Sequence, residues 1–228
     1  MTHRLFRPAI ATALAIGVLA ALVTAAPATA DPLPTPDPPP TPTSPGSGVA
    51  QHCVVKLTAY SSEPGVAKCF HTFPEAISFA TGGRLVDVPL SPAEAVDDPA
   101  FAAHLAAGAN GGPVDDPKPK EVNVVLSIEY EHINFNAGAF GSSNTFVGDK
   151  LCDAATDIPE YAQPDLRNSL PQLPNGANDL ISSFRTYSNC NANHYEHVDF
   201  GGAATGYWTT RDYIGDDWND KASSISWS

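Results

Sequence analysis

Two short blocks carry clustered side-chain oxygens in this chain, and each block occurs twice. Asn178-Asp179-Leu180-Ile181-Ser182-Ser183 returns, changed at two positions, as Asn219-Asp220-Lys221-Ala222-Ser223-Ser224. Upstream of each lies a second repeated block: Tyr130-Glu131-His132-Ile133-Asn134-Phe135 and Tyr195-Glu196-His197-Val198-Asp199-Phe200. A single NDxxSS block would be turn chemistry, since Asn, Asp and Ser all bond to local backbone. Two copies in the same order make the C-terminal half one structural unit used twice. Each unit ends its long loop in hard oxygens, the ligand type that calcium takes.

Other chemistries find less support. His194-Tyr195-Glu196-His197 has neither the H-E-x-x-H nor the H-x-x-E-H spacing of helix-borne zinc sites, and it falls on a strand. There is no G-x-S-x-G and no glycine-rich phosphate loop, so the chain is not expected to be an enzyme.

The elements that must position these blocks are short. In 121–228, Val122, Val124, Leu126, Ile128 and Tyr130 alternate with Asn123, Val125, Ser127 and Glu129, which predicts a half-buried strand. Frequent Gly, Asn and Asp turns without an amphipathic helix predict an antiparallel β-sandwich there. Residues 51–120 read as a small α+β segment of open role: packed on the sandwich, a pro-segment, or partly mobile. It holds a strand-like run from Cys53 to Tyr60, and a helix capped by Thr72 and stopped by Gly82-Gly83. A second helix is predicted from Pro92 to Ala107, then a linker through Gly111-Gly112-Pro113 and Asp115–Pro119.

The N-terminus reads as an export signal over residues 1–30. Arg4 and Arg7 precede an apolar run from Ala9 to Ala26, and Ala28-Thr29-Ala30 supplies the small residues of a cleavage site. No later stretch is long and apolar enough to span a bilayer. Cleavage would leave 198 residues and remove two of the 12 basic side chains but no acid, taking the formal charge from −13 to −15. That balance argues against nucleic acid and anionic membranes as partners. Residues 31–50 are a Pro-rich spacer that cannot bury a core. In an exported chain, Cys53, Cys69, Cys152 and Cys190 suggest two disulfides. Of three pairings, Cys53–Cys69 and Cys152–Cys190 keep each bond within one segment. Each would contribute roughly 3–4 kcal/mol on a chain-entropy estimate.

Tyr195, Phe200 and Gly202 resemble the βγ-crystallin Greek-key signature, in which an aromatic corner and a glycine fold the first hairpin. The NDxxSS blocks resemble that family's calcium motif. The resemblance covers 121–228 and implies a two-sheet sandwich of two Greek keys, 121–187 and 188–228, in a secreted, actinobacterial-type protein. The first unit departs from the pattern. Ala137 stands at the glycine position, with Gly138 one residue later, so a bulged hairpin is expected. From Tyr130 to Asn178 is also 48 positions, against 24 from Tyr195 to Asn219.

The resemblance further implies two calcium ions held by crossing. Site one would take the Leu180 carbonyl, Ser182 and Asp220; site two would take the Lys221 carbonyl, Ser223 and Asp179. Asn178 and Asn219 would brace the loops or share in coordination. About one carboxylate per ion implies modest affinity, and the Lys221 ammonium would weaken site two. The same fold is similar to metalloproteinase inhibitors and killer-toxin-like proteins. The competing expectation is therefore a protease inhibitor that presents the disulfide-pinned 141–177 loop to an extracellular protease.

Overall fold

A computed structural model describes residues 50–107, 123–137, 139, 141–169 and 176–228. The export signal, nearly all of the Pro-rich spacer, residues 108–122 with the predicted linker, Gly138, Phe140 and residues 170–175 lie outside the described residues.

The first Greek key starts with β3 (Val124–Tyr130) and continues with β4 (Ser143–Gly148), β5 (Tyr161–Gln163) and β6 (Ser183–Thr186). The second holds β7 (Ala192–Tyr195), bridges from that strand to Ala204 and Trp208, β8 (Thr210–Arg211) and β9 (Ser224–Trp227). In each unit the third strand leaves its own sheet for the other. β5 pairs antiparallel with β9, and β8 pairs antiparallel with β6. This exchange of third strands makes the body a βγ-crystallin-like sandwich of two Greek keys.

The segment before it joins the same sheet. β1 (His52–Lys56) pairs antiparallel with β2 (Val66–Phe70) and parallel with β4. One sheet therefore runs β2-β1-β4-β3-β6-β8, and the other runs β5-β9-β7. The antiparallel expectation holds within the Greek keys, while the added β1 makes the large sheet mixed. Cys53 and Cys69 sit opposite one another across β1 and β2 and are bonded, as are Cys152 and Cys190.

Helix α1 (Phe73–Ala80) begins where Thr72 accepts a hydrogen bond from the Glu75 N–H, and the chain turns left-handed at Gly82 and Gly83. The predicted second helix is broken in two, α2 (Pro92–Asp97) and α3 (Pro99–Ala107). Pro99 forces the residue before it out of the helical region, and Asp98 is extended with ψ 110°.

These helices change the reading of β3. The half-buried strand is buried along its whole length, because α1–α3 cover the outer face of the sheet. A bulge between Val125 and Ser127 also splits the predicted apolar face. Val124 and Leu126 point into the space between the sheets, while Ile128 and Tyr130 pack under the helices.

The bulge sends Ser127 and Glu129 inward. His194 Nε2 meets Glu129 Oε2 at 2.9 Å, Ser127 Oγ donates to Glu129 Oε1 at 2.6 Å, and Trp227 Nε1 donates to Ser127 Oγ at 2.9 Å. All four side chains are fully buried. This polar chain ties β3 of one sheet to β7 and β9 of the other.

At the start of β1, His52 is buried against Phe73, and its Nδ1 lies 2.9 Å from Ser143 Oγ. Burial lowers its pKa from 6.5 to about 4. Above pH 6.5 the ring is neutral in both folded and unfolded chains. As pH falls from 6.5 toward 4, the unfolded chain takes up a proton that the folded site refuses, so stability is lost across that window. The full loss is about 3 kcal/mol. Denaturant midpoints of wild type and His52→Gln at pH 7, 5 and 4 should therefore converge as pH falls, and parallel pH dependences would contradict this assignment.

Candidate metal centre

Each Tyr-Glu-His block ends its strand in a tight left-handed corner. Asn134 and Phe135 have φ 54° and 58°, and their counterparts Asp199 and Phe200 have φ 54° and 61°. An edge-to-face ring pair stabilises each corner: Tyr130–Phe135 with centroids 5.6 Å apart and Tyr195–Phe200 at 5.5 Å.

The last serine of each NDxxSS block staples its corner to the loop. Ser183 Oγ donates to the His132 carbonyl at 2.6 Å and accepts from the Phe135 N–H at 3.0 Å. Ser224 Oγ makes the same two bonds, to the His197 carbonyl at 2.6 Å and from the Phe200 N–H at 3.1 Å. The preceding serines match as well. Ser182 donates to the Glu131 carbonyl at 2.7 Å, and Ser223 donates to the Glu196 carbonyl at 2.8 Å.

The two units differ at the glycine. In the second, the Gly201 carbonyl accepts the His197 N–H at 3.0 Å, and Gly202 takes φ 76°. In the first, Ala137 keeps a negative φ, and Asn136 takes the left-handed position at φ 63°. Its Oδ1 accepts the His132 N–H at 2.8 Å, so a side-chain amide does the work of a carbonyl. The first hairpin thus departs from the second at Asn136, while the expected bulge falls at Gly138, outside the described residues.

The two NDxxSS loops hold each other. The Asp179 N–H donates to the Ala222 carbonyl at 3.1 Å, and the Asp220 N–H donates to the Ile181 carbonyl at 3.2 Å. Both aspartates take φ 56°, a conformation that Asp tolerates better than most residues. On one side this crossing brings Asp220 Oδ1 to 3.3 Å from Ser182 Oγ. A cavity of about 410 Å³ opens there, lined by Glu131, Asp179, Leu180, Ser182, Asn219 and Asp220 among others. Asn219 Nδ2 braces Asp220 Oδ2 at 2.8 Å, and an Asn178 side-chain hydrogen bond does the same for Asp179.

Of the residues predicted for site one, Leu180, Ser182 and Asp220 thus share one cavity. For site two, the structure shows Ser223 bonded to the Glu196 carbonyl and the backbone half of the Asp179 crossing. The Lys221 side chain is exposed. Sequence reasoning missed Glu131, whose side chain accepts the Ser142 N–H at 2.7 Å and whose charge bears on Asp220. Its place in the repeated Tyr-Glu-His block was the available signal. Partial burial raises the pKa of Asp220 against the hydrogen bond from Ser182, with Glu131 adding to the rise. Burial also raises Asp179. Both loops thus hold a carboxylate whose ionised form is penalised by partial burial and supported by neighbouring side-chain hydrogen bonds. Among the described residues, no three His, Cys, Asp or Glu side chains converge as a metal cluster. The oxygens gathered here are mainly hydroxyls, amides and carbonyls.

The predicted 141–177 loop is not one free excursion. It contains β4 and β5, and Tyr161 and Leu166 are fully buried within it. Among its described residues, 153–159 form a continuously solvent-facing run.

No protein-family model matches the chain, and no curated protein matches it. Solved structures of bacterial betagamma-crystallin domains do. A double-mutant domain from Clostridium beijerinckii is 24% identical over 45% of this chain and 94% of its own, with a TM-score of 0.31. A domain from Flavobacterium johnsoniae is 26% identical over 45% of this chain and 93% of its own, also at 0.31. A clostrillin double mutant in complex with nickel is 22% identical over 45% of this chain and 95% of its own, again at 0.31.

The staple bonds give a metal-independent test. Ser183→Ala strands the His132 carbonyl and the Phe135 N–H, and Ser224→Ala strands their counterparts; each orphaned group costs about 1–3 kcal/mol. In EDTA both variants should lose several degrees of thermal midpoint by similar amounts. An unchanged midpoint in either would show that the staple is not needed.

Proposed function

We propose that this chain is an exported calcium-binding βγ-crystallin-like module in which the ions mainly brace the fold. The observation that carries the reading is the crossed pair of NDxxSS loops, with Ser182, Asp220 and Leu180 lining one cavity. Calcium takes six to eight oxygens in loose geometry, and one loop alone offers too few. In site one, Ser182 would keep its proton on the Glu131 carbonyl and turn its lone pairs to the ion. Asp220, now sharing that proton, would be released to bind the ion directly. The Leu180 carbonyl, Asn219 and waters would complete the shell. In site two, Ser223, the Lys221 carbonyl, Asp179 and Asn178 would take the matching places. With about one carboxylate for each ion, affinity should be micromolar or weaker.

An ion bound only by the folded chain stabilises it by about 2.7 kcal/mol at a hundredfold excess over Kd. Thermal unfolding in EDTA and then in millimolar calcium should show a rise of several degrees in wild type. That rise should be absent in Asp179→Ala/Asp220→Ala. A rise of equal size in both would refute the paired sites, and no rise in either would refute calcium.

The two sites should also differ. The Lys221 ammonium adjoins the carbonyl offered to the second ion. Calcium titration calorimetry of Lys221→Ala should show the weaker of two binding steps tightened and the stronger one unchanged. An unaltered weaker step would sink the asymmetry.

A further inference from the structure

The carbonyl that accepts the Ser182 proton belongs to the same peptide group as the His132 N–H. That group joins Glu131 to His132, and both of its ends are held. Its carbonyl accepts from Ser182 Oγ at 2.7 Å, and its N–H donates to Asn136 Oδ1 at 2.8 Å. A peptide group is a rigid plane, so holding the N–H sets the direction of the carbonyl. In the second unit the matching plane joins Glu196 to His197. Its carbonyl accepts from Ser223 Oγ at 2.8 Å, and its N–H donates to the Gly201 carbonyl at 3.0 Å. A side chain therefore aims one plane, and main chain aims the other.

The Asn136 amide is locked in place. It is 2% exposed, and its Nδ2 donates to the Ser142 carbonyl at 3.0 Å. A flipped amide would set donor against donor and acceptor against acceptor. Gly141 packs on it, since a Cβ there would come within 2.7 Å of Asn136 Oδ1. The same Ser142 carbonyl accepts the Glu131 N–H at 3.1 Å, and the Ser142 N–H donates to the Glu131 carboxylate at 2.7 Å. Asn136, Ser142 and Glu131 thus form one clamp.

The clamp reaches the cavity through Ser182. Its hydroxyl lies between two acceptors, the Glu131 carbonyl at 2.7 Å and Asp220 Oδ1 at 3.3 Å. If the carbonyl turned away, the hydroxyl would turn to Asp220 and cover a carboxylate oxygen that an ion needs. We infer that Asn136 is a positioning residue for the first calcium ion alone. By aiming the Glu131 carbonyl at Ser182, it keeps Asp220 and the Ser182 lone pairs open to the ion. The inference rests on the calcium reading given above.

The test is calcium calorimetry of the full chain in two single-site backgrounds. Asp179→Ala leaves the first site, and Asp220→Ala leaves the second. Asn136→Gly removes the amide, and glycine takes φ 63° without strain. It should weaken calcium by about tenfold in the Asp179→Ala background, the order expected when one buried hydrogen bond is lost. It should leave binding in the Asp220→Ala background unchanged. In EDTA, amide exchange should quicken at His132 and not at His197, a readout that needs no metal. Equal weakening in both backgrounds, or none in either, would overturn the inference, as would unchanged exchange at His132. Asn136→Ala is the second variant if Asn136→Gly does not unfold cooperatively. Loss of the fold in both would mark the residue as structural only and overturn the inference as well. Absence of calcium binding in wild type would instead overturn the calcium reading, and this inference with it.

Discussion

Everything at the candidate site depends on two backbone hydrogen bonds, each running from the aspartate of one NDxxSS loop to a carbonyl of the other. Asp179 donates to Ala222, and Asp220 donates to Ile181. Neither loop can keep its shape alone, because each aspartate sits at φ 56° and relies on its partner to satisfy its N–H. The crossing places the Asp220 carboxylate over Ser182 of the other repeat. Ser183 and Ser224 then fasten each loop to the corner of its own hairpin. Local turn chemistry and long-range pairing thus support one another, which is what a site made from two halves requires.

The rest of the molecule holds these loops in register. Exchange of the third strands means that neither Greek key can be completed without the other. The buried chain from Trp227 through Ser127 and Glu129 to His194 fixes one sheet over the other at a single polar point. Its members are buried, so losing any one would leave its partners short of a hydrogen bond. The N-terminal strands and helices add a third layer. They cover the outer face of β3 and pin β1 with a disulfide to β2.

Much of this was legible in the sequence where the signal is local. The repeated blocks marked the two units, Thr72 and Gly82-Gly83 bounded α1, and segment-by-segment pairing of the cysteines matches both disulfides. The single helix expected from Pro92 to Ala107 breaks in two at Asp98, because Pro99 excludes the residue before it from the helical region. What could not be read was long-range. Parallel pairing of β1 with β4 joins residues 91 apart, and nothing in either strand specifies the other. The bulge after Val125 is invisible in an alternating pattern, yet it decides that Glu129 faces His194 rather than the helices. Glu131 was passed over because its side chain serves the hairpin while its position serves the cavity.

The central claim is that the crossed loops hold metal ions between them. The most direct measurement is anomalous diffraction from crystals of the chain grown in millimolar calcium, recorded at long wavelength. The account predicts two anomalous peaks, one among Leu180, Ser182 and Asp220 and one among Lys221, Ser223 and Asp179, each within calcium–oxygen bonding distance of both loops. Peaks confined to surface carboxylates elsewhere, or none at either loop in well-ordered crystals, would contradict it.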